Sequence, residues 1–360
     1  MTSSSSSSST SSPATIAWSD PARALAFDAW LARVGARHGV IAATLRPASS
    51  DASFRRYFRV DRSGGGTLIV MDAPPPRESV GPFVHIAALI AAAGLHAPRV
   101  LEADAGNGFL LLDDLGSTLY LGVLQQAQAA GDHGRADRLM RDAIAALVVW
   151  QRKVSPSTLP PYDDALLRRE LELFPEWCVG RECGVAWNAD ETAVWQSACD
   201  LLVAAALAQP TVAVHRDWMP RNLMVADPNP GILDFQDAAR GPIAYDMASL
   251  LRDAFLSWDE EQELDWAIRY WEAARKAELP VPEDFGEFWR SLEWTGLQRH
   301  LKVLGIFSRL KHRDGKPAYS ADLPRFFGYA HKVATRYSSL RPLARLLEPL
   351  MGATIVEAFH

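Results

Sequence analysis

His215, Asp217, Asn222 and Asp234 are residues whose types and spacing could do chemistry. They stand in V-H-R-D-W-M-P-R-N-L-M-V, a short turn, and G-I-L-D-F-Q-D, so H-x-D-x-x-x-x-N is followed by an aspartate twelve residues after Asn222. Phosphoryl transfer to a hydroxyl needs such a set. A carboxylate beside the attacking hydroxyl orients it and takes its proton as the new bond forms. Charge spreading over the transferring oxygens calls for a divalent cation, and Mg²⁺ prefers hard oxygen donors such as a carboxylate and an amide. On this reading Asp217 is the base, and Asn222 and Asp234 are the metal ligands. His215 suits a structural role, holding the loop through a backbone hydrogen bond, better than proton shuttling. The bland alternative is that each of the other three caps a turn.

The surrounding residues predict how the set is positioned. Leu223-Met224-Val225 and Gly231-Ile232-Leu233 read as two short apolar strands around Ala226-Asp227-Pro228-Asn229-Pro230, a turn rich in Asp, Pro and Asn. Such a hairpin brings Asn222 and Asp234 to the same end, as a kinase catalytic loop and its metal-binding D-F-x turn require. Upstream, Ala22 to Gly35 has helical periodicity, and Leu45 to Met71 reads as strands with a hairpin turn at Ser63-Gly64-Gly65-Gly66. Pro74-Pro75-Pro76 precedes an apolar helix from Val80 to Ala93, and Phe109-Leu110-Leu111-Leu112 reads as a buried strand. From Thr118 the pattern is mainly helical, with helices expected at 135–153, 191–208, 245–258, 260–277, 285–310 and 323–340. The fold class is therefore α+β: a bilobal chain with a β-rich, nucleotide-binding N-lobe (21–116), a hinge near Asp113–Gly116, and a helical C-lobe (117–360) carrying the catalytic loop and acceptor site.

Composition narrows the function classes. A chain of 360 residues can build two lobes around a large core. With 37 basic against 43 acidic residues, a net of -6, nucleic acid is not the expected partner. No uncharged apolar run approaches the roughly 18 residues of a membrane span. Residues 1–12 are mostly Ser and Thr, so residues 1–20 are expected to be a disordered tail rather than a signal peptide. Cys178, Cys183 and Cys199 lack zinc-ligand spacing and suit inert thiols in a reducing cytoplasm.

The catalytic words resemble those of the aminoglycoside phosphotransferase and choline kinase group, which has the protein-kinase-like fold. A-S-F-R-R-Y-F-R-V (52–60), L-I-V-M-D-A-P-P (68–75), L-L-L-D-D-L-G (110–116), R-E-L-E-L-F-P-E-W (169–177), G-P-I-A-Y-D-M-A-S-L-L-R-D (241–253) and G-L-Q-R-H-L-K-V-L-G-I-F-S-R-L (296–310) point to one branch. They are similar to the bacterial cell-wall recycling kinases that phosphorylate N-acetylmuramate and N-acetylglucosamine at the anomeric hydroxyl. The resemblance runs from about residue 22 to 340. It implies ATP and Mg²⁺ as cofactors, Asp217 as catalytic Asp, Asn222 and Asp234 as metal ligands, and Asp246 as a brace for the catalytic loop. It also implies a cytoplasmic monomer whose sugar 1-phosphate passes to a nucleotidyltransferase. Other acceptors remain open (an aminoglycoside, a choline-like or an amino-acid hydroxyl), as does a nucleotide-binding pseudokinase.

One departure concerns the nucleotide. Met71 stands near the place where protein kinases carry a strand Lys, and Met cannot bind phosphate. Ser53, Phe54, Arg55 and Arg56 lie where the phosphate-covering loop belongs, so either Arg is a candidate for the missing cation, and Asp114 is expected on the nucleotide side of the hinge. For the acceptor, Trp218 could stack on a sugar ring or simply be buried, and Arg221 could meet a carboxylate. Asp237 is read as touching substrate, supporting the site from behind, or lying at the surface. Glu176 and Trp177 could close over the sugar. Arg299, His300 and Lys302 either face water, as charges within a helix usually do, or line a substrate pocket.

Overall fold

The computed structural model describes residues 16–18, 20–50 (side chains to 48) and 54–352. Most of the Ser-rich tail, to residue 15, and Ser53 lie outside the described residues. The chain forms two compact units: one reaches to Ala91 and resumes over Ala97–Gly116, and the other comprises Ala92–His96 and the chain from Ser117.

The first unit is a helix on a sheet. Helix α1 (Pro21–His38) starts where Asp20 accepts from Ala22 N at 2.9 Å and Pro21 supplies a preset first turn. Strands β1 (Val40–Ser50), β2 (Arg56–Arg62) and β3 (Thr67–Asp72) follow, then helix α2 (Gly81–Ala92), β4 (Val100–Asp104) and β5 (Phe109–Asp113). The sheet order is β1-β2-β3-β5-β4, antiparallel throughout. Gly65 and Gly66 hold φ of 87° and 78° in the β2–β3 turn, which is why glycine stands there. Alternate residues Phe58 and Val60, Leu68 and Val70, and Phe109 and Leu111 pack against Phe27, Trp30, Leu31 and Val34 of α1. This period-two pattern turns one sheet face into the core, and each large side chain contributes about 1.5–3 kcal/mol on burial.

The second unit is mainly helical. Its elements are α3 (Tyr120–Ala129), α4 (His133–Lys153), α5 (Asp164–Leu171), a π-helix (Phe174–Glu182), α6 (Ala189–Leu207), β6 (Thr211–Val214), β7 (Leu223–Met224), β8 (Gly231–Ile232), β9 (Ala239–Pro242), α7 (Tyr245–Leu251), α8 (Glu260–Lys276), α9 (Phe285–His312), α10 (Leu323–Arg336) and α11 (Arg341–Met351). Helix α9 runs through the middle and packs on the π-helix, α6, α7 and α10. All its residues from Leu292 to Leu301 are buried, so no side of that stretch is left for water. The expectation that Arg299 and His300 face solvent is therefore wrong, and Lys302 is only slightly exposed.

Two expected helices end early. The helix from Tyr245 stops at Leu251, because Arg252 turns into a buried ion network, 3.2 Å from both Glu263 and Glu293. The helix from Leu323 stops at Arg336, where Tyr337 is extended and donates to Glu293 at 2.5 Å.

Candidate active site

Two small antiparallel ladders in the second unit build the site. Strand β6 pairs with β9 and β7 with β8. The loop from His215 to Asn222 leaves β6 and enters β7, while the turn after β8 runs back to β9. The register Leu223↔Ile232 sets Asn222 beside the turn, and Leu233 N donates to Asn222 O at 2.9 Å. The expected hairpin thus brings the amide and carboxylate together: Asn222 Nδ2 lies 3.0 Å from Asp217 O and 3.4 Å from Asp234 Oδ2. Gln236 Nε2 donates to Asp234 Oδ1 at 2.8 Å, which fixes the carboxylate. One amide beside one carboxylate suits a hard cation that takes its other oxygens from phosphates and water. Among the described residues no group of three or more His, Cys, Asp or Glu offers a self-sufficient metal cage.

The loop is held from below. Asp246, wholly buried on α7, accepts from His215 N at 2.7 Å and Arg216 N at 2.9 Å. Arg216 has φ of 76° and Asp234 has φ of 58°, a conformation that non-glycine residues keep only when their surroundings impose it. Burial pushes Asp246 up to about 7 although both backbone donors pull it down. Burial also lowers His215 to about 4, so the ring is neutral at pH 7 and meets Trp218 edge-on at 5.3 Å. That fits a structural His215.

Around Asp217 stand charged groups from distant parts of the chain. Asp217 is partly exposed, and Arg299 Nη2 lies 3.9 Å from its Oδ1. Glu170 on α5 takes Arg216 at 2.7 Å and Lys302 at 2.9 Å, and Tyr162 donates to it. Burial would raise Glu170, but Lys302 and Arg216 hold it below the usual carboxylate range. Glu170 was missed in the sequence; its signal was its place in R-E-L-E-L-F-P-E-W.

The remaining expected site residues scatter. Trp218 is fully buried and offers no face to a sugar. Its size and its place beside the apolar β6–β9 ladder favour packing over stacking. Arg221 lies over Phe255 at 5.1 Å, and Asp237 is exposed. Glu176 is exposed and Trp177 half-buried on the π-helix. His300 stacks on Tyr329 at 4.9 Å inside the helical core, so it packs rather than presenting a polar group.

Those assigned to the nucleotide lie in the first unit. Phe54 is exposed, with Arg77 over its ring at 4.7 Å. Arg55 pairs with Glu78 at 3.1 Å, and Arg56 shares the buried carboxylate of Asp72 with Arg23. Asp114 accepts from Arg59 at 2.5 Å, Thr67 at 2.6 Å and Gly116 N at 2.9 Å. These bonds make Asp114 a brace of the β5 end rather than a group left for a nucleotide.

The chain is similar to known proteins. The model of the phosphotransferase enzyme family matches residues 44–285. An N-acetylmuramate/N-acetylglucosamine kinase of Pseudomonas aeruginosa is 52% identical over 86% of this chain and 89% of its own length. One from Pseudomonas putida is 50% identical over 87% of this chain and 90% of its own. The macrolide 2'-phosphotransferase structure from Brachybacterium faecium superposes with a TM-score of 0.53 at 15% identity, over 82% of this chain and 98% of that one, and shares the protein-kinase-like fold. With the family match spanning the sheet and the catalytic ladders, and relatives half identical over most of its length, this chain belongs to the phosphotransferase enzyme family and is a kinase with ATP as phosphoryl donor.

Proposed function

We propose that the chain phosphorylates the anomeric hydroxyl of N-acetylmuramate, N-acetylglucosamine or both. The observation that carries this reading is the 50–52% identity, over most of both chains, to kinases named for these two sugars. Asp217 takes the proton of the attacking hydroxyl as its oxygen bonds to the γ-phosphorus and the bond to ADP breaks, giving a sugar 1-phosphate, ADP and a proton. Asn222 and Asp234 would hold Mg²⁺, which when bound neutralises charge on the phosphoryl oxygens. Gln236 orients Asp234, and Asp246 sets the loop that presents Asp217. Arg299 and Lys302 near Asp217 suit a neutral or anionic acceptor, such as one bearing a lactyl carboxylate, better than a polycationic antibiotic.

The product suits a cytoplasmic recycling route for cell-wall sugars, in which a sugar-1-phosphate nucleotidyltransferase acts next and this kinase works as a monomer. No helix among the described residues is long and apolar enough to cross a membrane. The test is ATP consumption with Mg²⁺ against N-acetylmuramate, N-acetylglucosamine, choline and kanamycin, with the phosphorylated position read by ³¹P NMR. Phosphate at C1 of either amino sugar is the expected result. Turnover confined to choline or kanamycin would overturn the acceptor assignment while leaving the chemistry.

A further inference from the structure

Two buried charged residues, Arg299 beside Asp217 and Asp253 under the charge of Arg299, have hydrogen-bonding capacity to spare. Asp253, just beyond α7, is 1% exposed. Its Oδ1 accepts from Ala254 N at 2.6 Å and the Phe255 backbone also supports the carboxyl, whereas its buried Oδ2 has no donor within hydrogen-bond geometry among the described residues. The side chain of Arg299, 4% exposed on α9, has as its ion pair among the described residues the 3.9 Å contact with Asp217, longer than a hydrogen bond. Arg299 also acts on Asp253, as does Arg221 more weakly: burial pushes this carboxyl up to about 6, and the two cations pull against that rise. One guanidinium therefore relates the buried carboxylate to the carboxylate placed to activate a hydroxyl. Folded proteins seldom leave a buried carboxylate oxygen without a donor, and a guanidinium presents five N–H groups that want acceptors. A ligand with both a donor and an acceptor would satisfy the two together.

We infer that Asp253 and Arg299 form the acceptor subsite, Asp253 Oδ2 accepting a hydroxyl or amide hydrogen of the sugar and Arg299 donating to one of its oxygens. This rests on the sugar kinase reading and adds to it a recognition pair. Charge balance selects the ligand class. Glu170 takes Arg216 and Lys302, Asp217 faces Arg299, Asp253 is under the charge of Arg299 and Arg221, and Asp234 is the carboxylate assigned to the metal, so no carboxylate here is set aside for an ammonium group. A neutral polyhydroxylated or acetamido acceptor fits.

The test compares the full wild-type chain with Asp253→Asn and Asp253→Ser, using N-acetylglucosamine as the probe. Asparagine keeps the shape and removes the charge; serine keeps the experiment interpretable if asparagine misfolds. The KM for sugar should rise about tenfold or more, the size expected for losing a hydrogen bond to a charged group, while the KM for ATP stays within about twofold. An unchanged sugar KM in the folded variants, or an ATP KM rising in step, overturns the subsite. A wild-type chain that ignores both amino sugars yet phosphorylates choline or kanamycin overturns the acceptor reading instead, and the same KM comparison on that acceptor then judges Asp253. Silence on all four overturns both.

Discussion

Asp217 keeps its carboxylate more than a third exposed, while Trp218 and Asn222 beside it are buried. That places the carboxylate proposed as base where a substrate can reach it, on a loop anchored by buried neighbours and by Asp246. Asp217→Asn should fold with an unchanged melting temperature and lose about 10²–10⁴ of kcat, the range for positioned acid–base groups; wild-type turnover in this variant would exclude Asp217 as the base. Below it, His215 and Asp246 pull the pH dependence of stability in opposite directions. Between about 4 and 6.5 the unfolded chain binds more protons at His215, so the stability tied to that group rises with pH. From 3.8 to about 7 the folded chain keeps the Asp246 proton longer, so the stability tied to Asp246 falls as pH rises. Asp246→Asn removes the falling part. The variant should be about 1–3 kcal/mol less stable at neutral pH, because an amide oxygen serves only one of the two backbone donors without a competing N–H. Its melting temperature should also climb more steeply than the wild type's from mildly acidic to neutral pH. Parallel melting curves would mean Asp246 does not titrate with folding. Asp217, Asn222, Asp234 and the bracing Asp246 were legible because short-range spacing and local words carry them. Glu170 and Asp253 were not: both stand inside the family-like words, but their significance depends on Arg216, Lys302 and Arg299, which no local pattern ties to them.

The π-helix and α9 meet so closely that a methyl group would not fit. A Cβ on Gly305 would stand 2.4 Å from the Leu173 carbonyl carbon, a backbone atom that cannot step aside. Gly305→Ala should therefore lower stability by about 1–3 kcal/mol, read as a lower urea midpoint with an unchanged slope. No loss of stability would mean the π-helix yields easily. Elements defined by their own periodicity were legible: α1, α2, α4, α6, α8 and α9 all lie within a few residues of where the apolar spacing put them. The misses have a common cause. The π-helix register, the end of α7 at Arg252 and the break at Tyr337 are set by buried contacts with α9; Pro175 and Gly180 mark the π-helix segment without giving its register, and Arg252 and Tyr337 are neither proline nor glycine and announce no stop. Strands β6 and β9 are four residues each, too short for a period to emerge, and their pairing spans the whole catalytic segment.

For the molecule as a whole, ATP should act as a stabiliser because only the folded chain assembles Asn222 beside Asp234. Saturation with Mg²⁺ and a non-hydrolysable ATP analogue, at about 100 times its Kd, should add about 2.7 kcal/mol and raise the melting temperature. Asp234→Ala should lose most of that increment and its dependence on Mg²⁺. An undiminished shift would take Asp234 out of the nucleotide-binding machinery. The β-rich beginning and helical remainder were legible because alternation gives way to helical spacing along the chain. The affiliation of residues 92–96 was not, because five residues carry no periodicity of their own.

Those five residues bear on how the gene could be cut. His96 forms a bridge with Gly231, its carbonyl accepts from Ile232 N at 2.7 Å, and Ala93 O accepts from Lys153 at 2.9 Å. The strand that delivers Asp234 is thus edged by a segment encoded some 130 residues earlier, inside the sequence of the other unit. A fragment beginning at Ser117 would hold every proposed chemical group yet leave the flank of β8 bare. The kinase half is therefore not a cassette that recombination could transplant in one piece. Two fragments split after Gly116 should show kinase activity only when mixed; turnover by the fragment from Ser117 alone would show that β8 does not need residues 92–96.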